Sequence, residues 1–219
     1  MRKEYKILTL IATTALCFSG AAFVQAFEPA GVLDTAPLQT LKLEIGAEQN
    51  VSGAQGFINS MAQRAIGFLG EENITEEQRK GEFRKLLRDS FDMQTIGRFA
   101  LGRYWKTATA QQRSEYQKLF ENMIVEVYSK RFSDYNGQAL DVRSAQAEGK
   151  DTVVQSFIVP ESGPEIQVDW RVRYSDGRYK IVDVIVEGVS MALTQRSDFA
   201  SVIQRGGGEL EILLAELRK

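Results

Sequence analysis

Ser190 sits in "GVSMA" (residues 188–192), directly after the apolar run Ile181–Val186, with Asp183 and Glu187 just upstream. A serine exposed where a strand breaks at a glycine resembles the nucleophile elbow of hydrolases. A serine hydroxyl, however, attacks only when a base takes its proton, and the usual base is histidine. The chain contains no histidine at all. Ser-His-Asp and Cys-His chemistry are therefore excluded, and so is proton transfer by imidazole. A Ser-Lys pairing through Lys180 would need two residues ten positions apart to meet, and strand alternation gives no reason for that. Ser190 reads instead as a turn or cap residue where Gly188 ends the strand.

Metal chemistry is equally poor in ligands. The single cysteine is Cys17, inside the first apolar stretch, so zinc and copper lose their usual donors. No acidic calcium loop, phosphate-cradling P-loop or dinucleotide fingerprint occurs. Acids are plentiful, so a paired-carboxylate enzyme of the cell envelope stays open, with Asp169 and Asp183 as the pair to test. The expectation is a protein with no metal, no cofactor and no catalytic residue.

What the chain has in surplus is apolar surface, and the elements that carry it can be read in order. Residues 1–26 form a signal peptide: Arg2, Lys3 and Lys6 precede an apolar stretch, and Val24-Gln25-Ala26 ends in a small-residue cleavage pattern. The expectation is export to the periplasm, with residues 27–219 as one domain. Its removal takes three basic residues and one acidic one from a chain of formal charge −2, leaving it more acidic. That balance argues against nucleic-acid binding.

Residues 27–136 read as mainly helical. After a leader to about residue 50, Phe57, Ile58, Met61, Ala65 and Phe68 recur at helical spacing over 51–69. Thr75 with Gln78 is a capping-box start. A short helix ends at Gly102, and Thr109 opens what reads as the longest helix, running to about Tyr135. Its apolar set is wider than one stripe, which suits either a central core helix or one that lines a cavity. Residues 137–187 change to period two, with strands over 140–146, 152–159, 165–174 and 178–187 joined by hairpin signals. In the third strand Ile166, Val168, Trp170, Val172 and Tyr174 share one face. Strict alternation in the fourth puts Val182, Val184 and Val186 on one side and Tyr179, Ile181, Asp183 and Ile185 on the other. Residues 188–219 read as closing helices hinged at Gly206-Gly207-Gly208. The fold class is α+β, with a curved four-stranded antiparallel sheet packed against a helical layer. Between the layers such a sheet closes either as a packed core or as an apolar pocket.

Two stretches resemble a known family. "FRKLLRDSFDMQTIGRFALGRYWKTATAQQRSEYQKLFENMIVEVYSKRFSDY" and "VDWRVRYSDGRYKIVDVIVEGVSMALTQRSDFASVI" are similar, in order and spacing, to MlaC-type periplasmic phospholipid-binding proteins, the toluene-tolerance auxiliary family. The resemblance implies a shape like nuclear transport factor 2 with lipid tails held between sheet and helices. It implies a monomeric carrier of phospholipid, moving it between an outer-membrane lipoprotein–porin complex and the inner-membrane MCE-domain protein of an ABC transporter, in support of outer-membrane lipid asymmetry. A hopanoid-handling branch makes a hopanoid or another envelope lipid the alternative cargo. By position in that layout, the expected pocket residues are Phe99, Tyr104, Trp105, Met123 and Val127 from the helices, with Val168, Trp170, Val172, Tyr174 and Val184 from the sheet. Arg98, Arg103 and Lys106 are the basic residues expected nearest the headgroup.

Overall fold

Local signals in the chain start most of the helices. The computed structural model describes residues 38–219, with side chains from residue 50 onward; the expected signal peptide and the first part of the leader lie outside the described residues. Helix α1 (Leu38–Leu69) is followed by α2 (Glu76–Ser90), whose N-cap Thr75 forms the full reciprocal box with Gln78. Glu76 and Glu77 in its first turn and Arg88 in its last match the helix dipole. Helix α3 (Met93–Leu101) starts on Asp92, which accepts from Thr95 N at 2.9 Å, and stops at Gly102 with φ 59°. Only a residue without Cβ adopts that backbone cheaply. The one-turn α4 (Tyr104–Thr107) leads to α5 (Ala110–Ser129), opened by a second capping box between Thr109 and Gln112.

Two helix lengths differ from the sequence reading. Among the described residues the longest helix is α1, which extends N-terminally into the leader. Helix α5 ends at Ser129, and Phe132 lies in a 3-10 turn (Phe132–Asp134) that folds its ring back onto Phe68 and Phe83, with centroids 6.2 and 5.2 Å apart. Burying that ring against α1 and α2 competes with extending the helix.

The sheet runs β1 (Ala139–Glu148), β2 (Asp151–Val159), β3 (Ile166–Ser175), β4 (Arg178–Val186) and the two-residue β5 (Val189–Ser190), antiparallel and in sequence order. There are thus five strands rather than four, since residues 189–190 fold back to pair with Val186 and Ile185. Glu187 and Gly188 make this reversal at φ 49° and 79°.

Each of two strands carries an extra residue. In β1 the register jumps across Arg143, and in β4 it jumps across Val182. The β4 bulge corrects the alternation expected there. Trp170 pairs with Val184, but Val172 pairs with Ile181 and Tyr174 with Tyr179. Directly opposed residues share a face, so Tyr179 and Ile181 join Val184 and Val186 on one side. That side faces α1. Ala54, Ile58 and Met61 of α1 pack there with Leu86, Val154, Val172 and Ile181.

A second apolar cluster lies wholly among helices. Leu101, Tyr104, Tyr116 and Phe120 of α3–α5 pack with residues of α6 (Met191–Arg205) and α7 (Leu210–Leu217), namely Phe199, Ile203, Leu213 and Leu214. Tyr116 and Phe120 stack at 5.7 Å, and Phe199 meets both edge-on. Gly206–Gly208 separate α6 from α7, as the sequence implies. No helix among the described residues is long and apolar enough to cross a membrane.

Candidate functional site

Ser190 is the N-cap of α6. Its Oγ accepts from Leu193 N at 3.0 Å and donates to Asp183 Oδ2 at 2.6 Å. Asp183 Oδ1 accepts from Val184 N at 2.9 Å and Ala192 N at 3.1 Å. Both side chains are thus spent on holding the start of α6 against β4, and the carboxylate also suits the helix N-terminus electrostatically. Asp169, its suggested partner, stands opposite Ile185 and takes up the Gln167 side-chain amide at 2.9 and 3.2 Å. Among the described residues, no group of three or more His, Cys, Asp or Glu converges as a metal site.

The sheet-side residues of the expected pocket sit together on the face toward α1. Val168 and Val172 are buried there, and Trp170 and Val184 are partly buried around the same cluster. Trp170 is fixed in place. Its Nε1 donates to Ser156 Oγ at 2.8 Å, and the fully buried Ser156 donates in turn to Val168 O at 2.8 Å. Tyr174 is half exposed at the end of this face, tilted against Tyr179 at 4.7 Å. Tyr179 also stacks on Phe57 of α1 at 5.9 Å. The layer closes tightly here, because a Cβ on Gly53 would lie within 2.0 Å of the Tyr179 phenol oxygen.

The helix-side residues lie elsewhere. Tyr104 is buried in the helical cluster, with Trp105 and Met123 packed against it. Phe99 and Val127 are exposed. Of the expected pocket residues, Tyr104, Trp105 and Met123 thus belong to the helical cluster and Trp170, Val172 and Val184 to the sheet cluster, while Phe99, Val127 and Tyr174 stay exposed.

Arg98, Arg103 and Lys106 do converge. With Phe99 and Trp105 they line a cleft of about 500 Å³. Thr95, Gly102 and, from α6, Arg196 complete it. The geometry follows from α3. Positions 95, 98, 99 and 102 form its outward stripe, while Gly97, Ala100 and Leu101 face the core. Gly102 then turns the chain so that Arg103, Trp105 and Lys106 form the next wall. Arg113 anchors that wall by donating to Trp105 O at 2.9 Å and Lys106 O at 3.2 Å, its guanidinium 5.4 Å from the Trp105 ring. Arg196 reaches across with its guanidinium 5.2 Å from the Phe99 ring. The absence of a side chain at Gly102 gives it room, since a Cβ there would stand 2.9 Å from Arg196 Nε. Arg196 carried no signal in the sequence, being some ninety residues from the other cations. A smaller cleft of about 340 Å³ between α1 and α2 is lined by Arg64, Phe68, Glu71, Ile74, Glu82 and Leu86, with charges of both signs.

Comparison with known proteins fits this architecture. A solved phospholipid-binding protein from Ralstonia solanacearum, in complex with a phospholipid, superposes with a TM-score of 0.66 at 22% identity, over 75% of this chain and 94% of that one. The toluene tolerance protein ttg2D of Pseudomonas putida is 28% identical over 110 residues, half of this chain and 51% of its own length. The intermembrane phospholipid transport system binding protein MlaC of Haemophilus influenzae is 22% identical over 133 residues, 58% of this chain and 61% of its own. The aligned stretches thus span about half to three fifths of those two relatives. The family model for the MlaC protein matches residues 59–219, nearly three quarters of the sequence, and the chain belongs to the MlaC family.

Proposed function

We propose that this protein is a periplasmic carrier that holds a phospholipid by its acyl chains in the apolar layer between α1 and the inner face of the sheet. It then passes that lipid between an outer-membrane lipoprotein–porin complex and the inner-membrane MCE-domain protein of an ABC transporter. The observation that carries this reading is the sheet face itself. Trp170, Val172 and Val184 belong to an apolar cluster that α1 covers together with Leu86 of α2, and the buried Val168 continues the same sheet face. Half-buried rings of Phe57, Phe68, Phe83 and Tyr179 border it. Such side chains can part around a lipid tail with little polar rearrangement. The names of the relatives, which bind or transport phospholipid, support the same cargo.

The physics asks for no catalysis. A phospholipid buries on the order of 30 CH₂ groups at ~0.8 kcal/mol each, so bare transfer into water costs roughly 20 kcal/mol. A protein interior that matches the solvation of a bilayer removes most of that barrier. Neither a nucleophile nor a base is needed, in keeping with a chain that has no histidine.

The test is direct. The protein is expressed with residues 1–26 in a Gram-negative host, recovered from the periplasmic fraction and extracted with organic solvent for mass spectrometry. The expected result is an N-terminus at Phe27 and about one phospholipid per protein. A protein free of lipid sinks the carrier reading, and a hopanoid in the extract replaces the cargo.

A further inference from the structure

The cleft between α3, α4 and α6 concentrates positive charge. The whole chain carries a formal charge of −2, yet this one concavity gathers Arg98, Arg103, Lys106 and Arg196 and is lined by no acid. Elsewhere the arginines are mostly paired. Arg64, Arg84, Arg88, Arg143, Arg171, Arg173 and Arg218 all stand within salt-bridge distance of a carboxylate. Among the described residues, none of the four cleft cations does. Gathering like charges without counter-charges raises the energy of the free protein, and an anion in the cleft would relieve it.

We infer that this cleft is a binding site for a phosphate-bearing ligand, with the four cations around the phosphate and the rings of Phe99 and Trp105 against its apolar portion. Three features set the ligand class. Guanidinium groups present forked donors that match phosphate oxygens. Arg103 is already oriented by its 2.9 Å bond to Tyr104 Oη, and Arg196 by the Phe99 ring. Phe99 is 42% exposed, a large apolar side chain open to solvent among the cations, which favours an amphiphile over a bare ion. A volume near 500 Å³ suits one headgroup with its glycerol. The exposed Phe99 ring beside the cations favours an amphiphile over an acidic protein surface, whose carboxylates would engage the cations alone. The inference rests on the phospholipid-carrier reading for its choice of amphiphile, but its own readout is independent of that reading.

Trp105 provides this readout, since the chain has only one other tryptophan, Trp170, in the sheet layer. The purified protein is titrated with dihexanoyl phosphatidylglycerol and, separately, with inorganic phosphate while the two indole N–H resonances are followed by NMR. The expected result is a saturable shift of the Trp105 resonance with the lipid, at least tenfold weaker in Arg98→Gln/Lys106→Gln. Both residues are exposed and neither makes a side-chain hydrogen bond among the described residues, so the variant retains its fold. Raising the salt weakens the shift in the wild type. Inorganic phosphate acting at equal affinity also supports the site and identifies free phosphate as a ligand. A Trp105 resonance unmoved by both probes overturns the inference, as does an equal response in the double variant, which would leave an acidic protein partner as the occupant. Co-purified lipid, measured in parallel, decides the carrier reading whichever way the indole answers.

Discussion

Ser190 Oγ and Asp183 Oδ2 lie 2.6 Å apart, with the serine donating, and this bond ties the N-terminus of α6 to the second half of β4. The same serine oxygen accepts from Leu193 N, and the same carboxylate accepts from Ala192 N. A hydrolase elbow would leave the hydroxyl exposed to substrate and give it a base. Here the acid faces a helix N-terminus, where a fixed negative charge is most useful for structure. Because α6 also supplies Phe199 to the helical core and Arg196 to the cationic cleft, this small network sets where both of those residues stand.

Ser190→Ala therefore acts on stability. Losing an N-cap costs about 0.5–2 kcal/mol. In a chain of this size that lowers the melting temperature by roughly 2–4 °C per kcal/mol. Asp183→Ala costs more, since it also leaves the Val184 and Ala192 amides without their acceptor. Thermal melts of both variants check the order, and a serine variant that melts with the wild type defeats it.

Gly53 and Gly56 lie on the same helix but face different surroundings. At Gly56 a Cβ meets nothing within 4 Å, whereas at Gly53 it would run into the Tyr179 phenol. Gly56→Ala should stabilise by about 0.5–1 kcal/mol through helix propensity. Gly53→Ala should destabilise, because α1 can no longer seat on the β3–β4 hairpin. Combining Gly53→Ala with Tyr179→Val should recover part of the loss, a non-additivity expected of residues in contact. Urea denaturation of the single and double variants measures it.

Much of the fold was legible because its signals are local. Thr75 with Gln78, Thr109 with Gln112 and the period-two strands name their own elements. The β4 bulge was not legible, because one extra residue at Val182 leaves the composition of the strand unchanged while moving Tyr179 and Ile181 to the other face. The early end of α5 also escaped, since it depends on Phe132 finding Phe68 and Phe83, residues distant in sequence. The candidate site was half legible. Arg98, Arg103 and Lys106 follow one another along α3 and α4, but Arg196 joins them only through packing of α6.

Ser156 holds Trp170 by a bond that periodicity could not show. Ser156→Ala leaves the indole N–H facing an apolar layer without an acceptor, at a cost of about 1–3 kcal/mol. Hydrogen exchange at the Trp170 indole should speed up in step with the lost stability. An indole that exchanges as slowly as in the wild type means that Trp170 has found another acceptor.

Tyr116 predicts how the protein responds to alkali. Its ring is fully buried between Trp105, Phe120 and Phe199, and its hydroxyl donates to Gly97 O at 3.0 Å. Burial pushes its pKa far above the ordinary value, and burial followed by the neighbouring Tyr174 raises that of Tyr179 as well. Such phenols ionise in the unfolded chain first, near pH 10, and the folded state binds the proton longer. The stability tied to Tyr116 is therefore complete below about pH 10 and is lost as pH rises further, at up to about 1.4 kcal/mol per unit, and the more exposed Tyr179 loses less. Tyr116→Phe removes one of these groups together with its hydrogen bond. At pH 8 the variant should be less stable by about 1 kcal/mol. Above pH 10 its stability should fall less steeply, so the urea midpoints of variant and wild type converge by pH 11. Midpoints that stay parallel across that range would place the alkaline transition elsewhere.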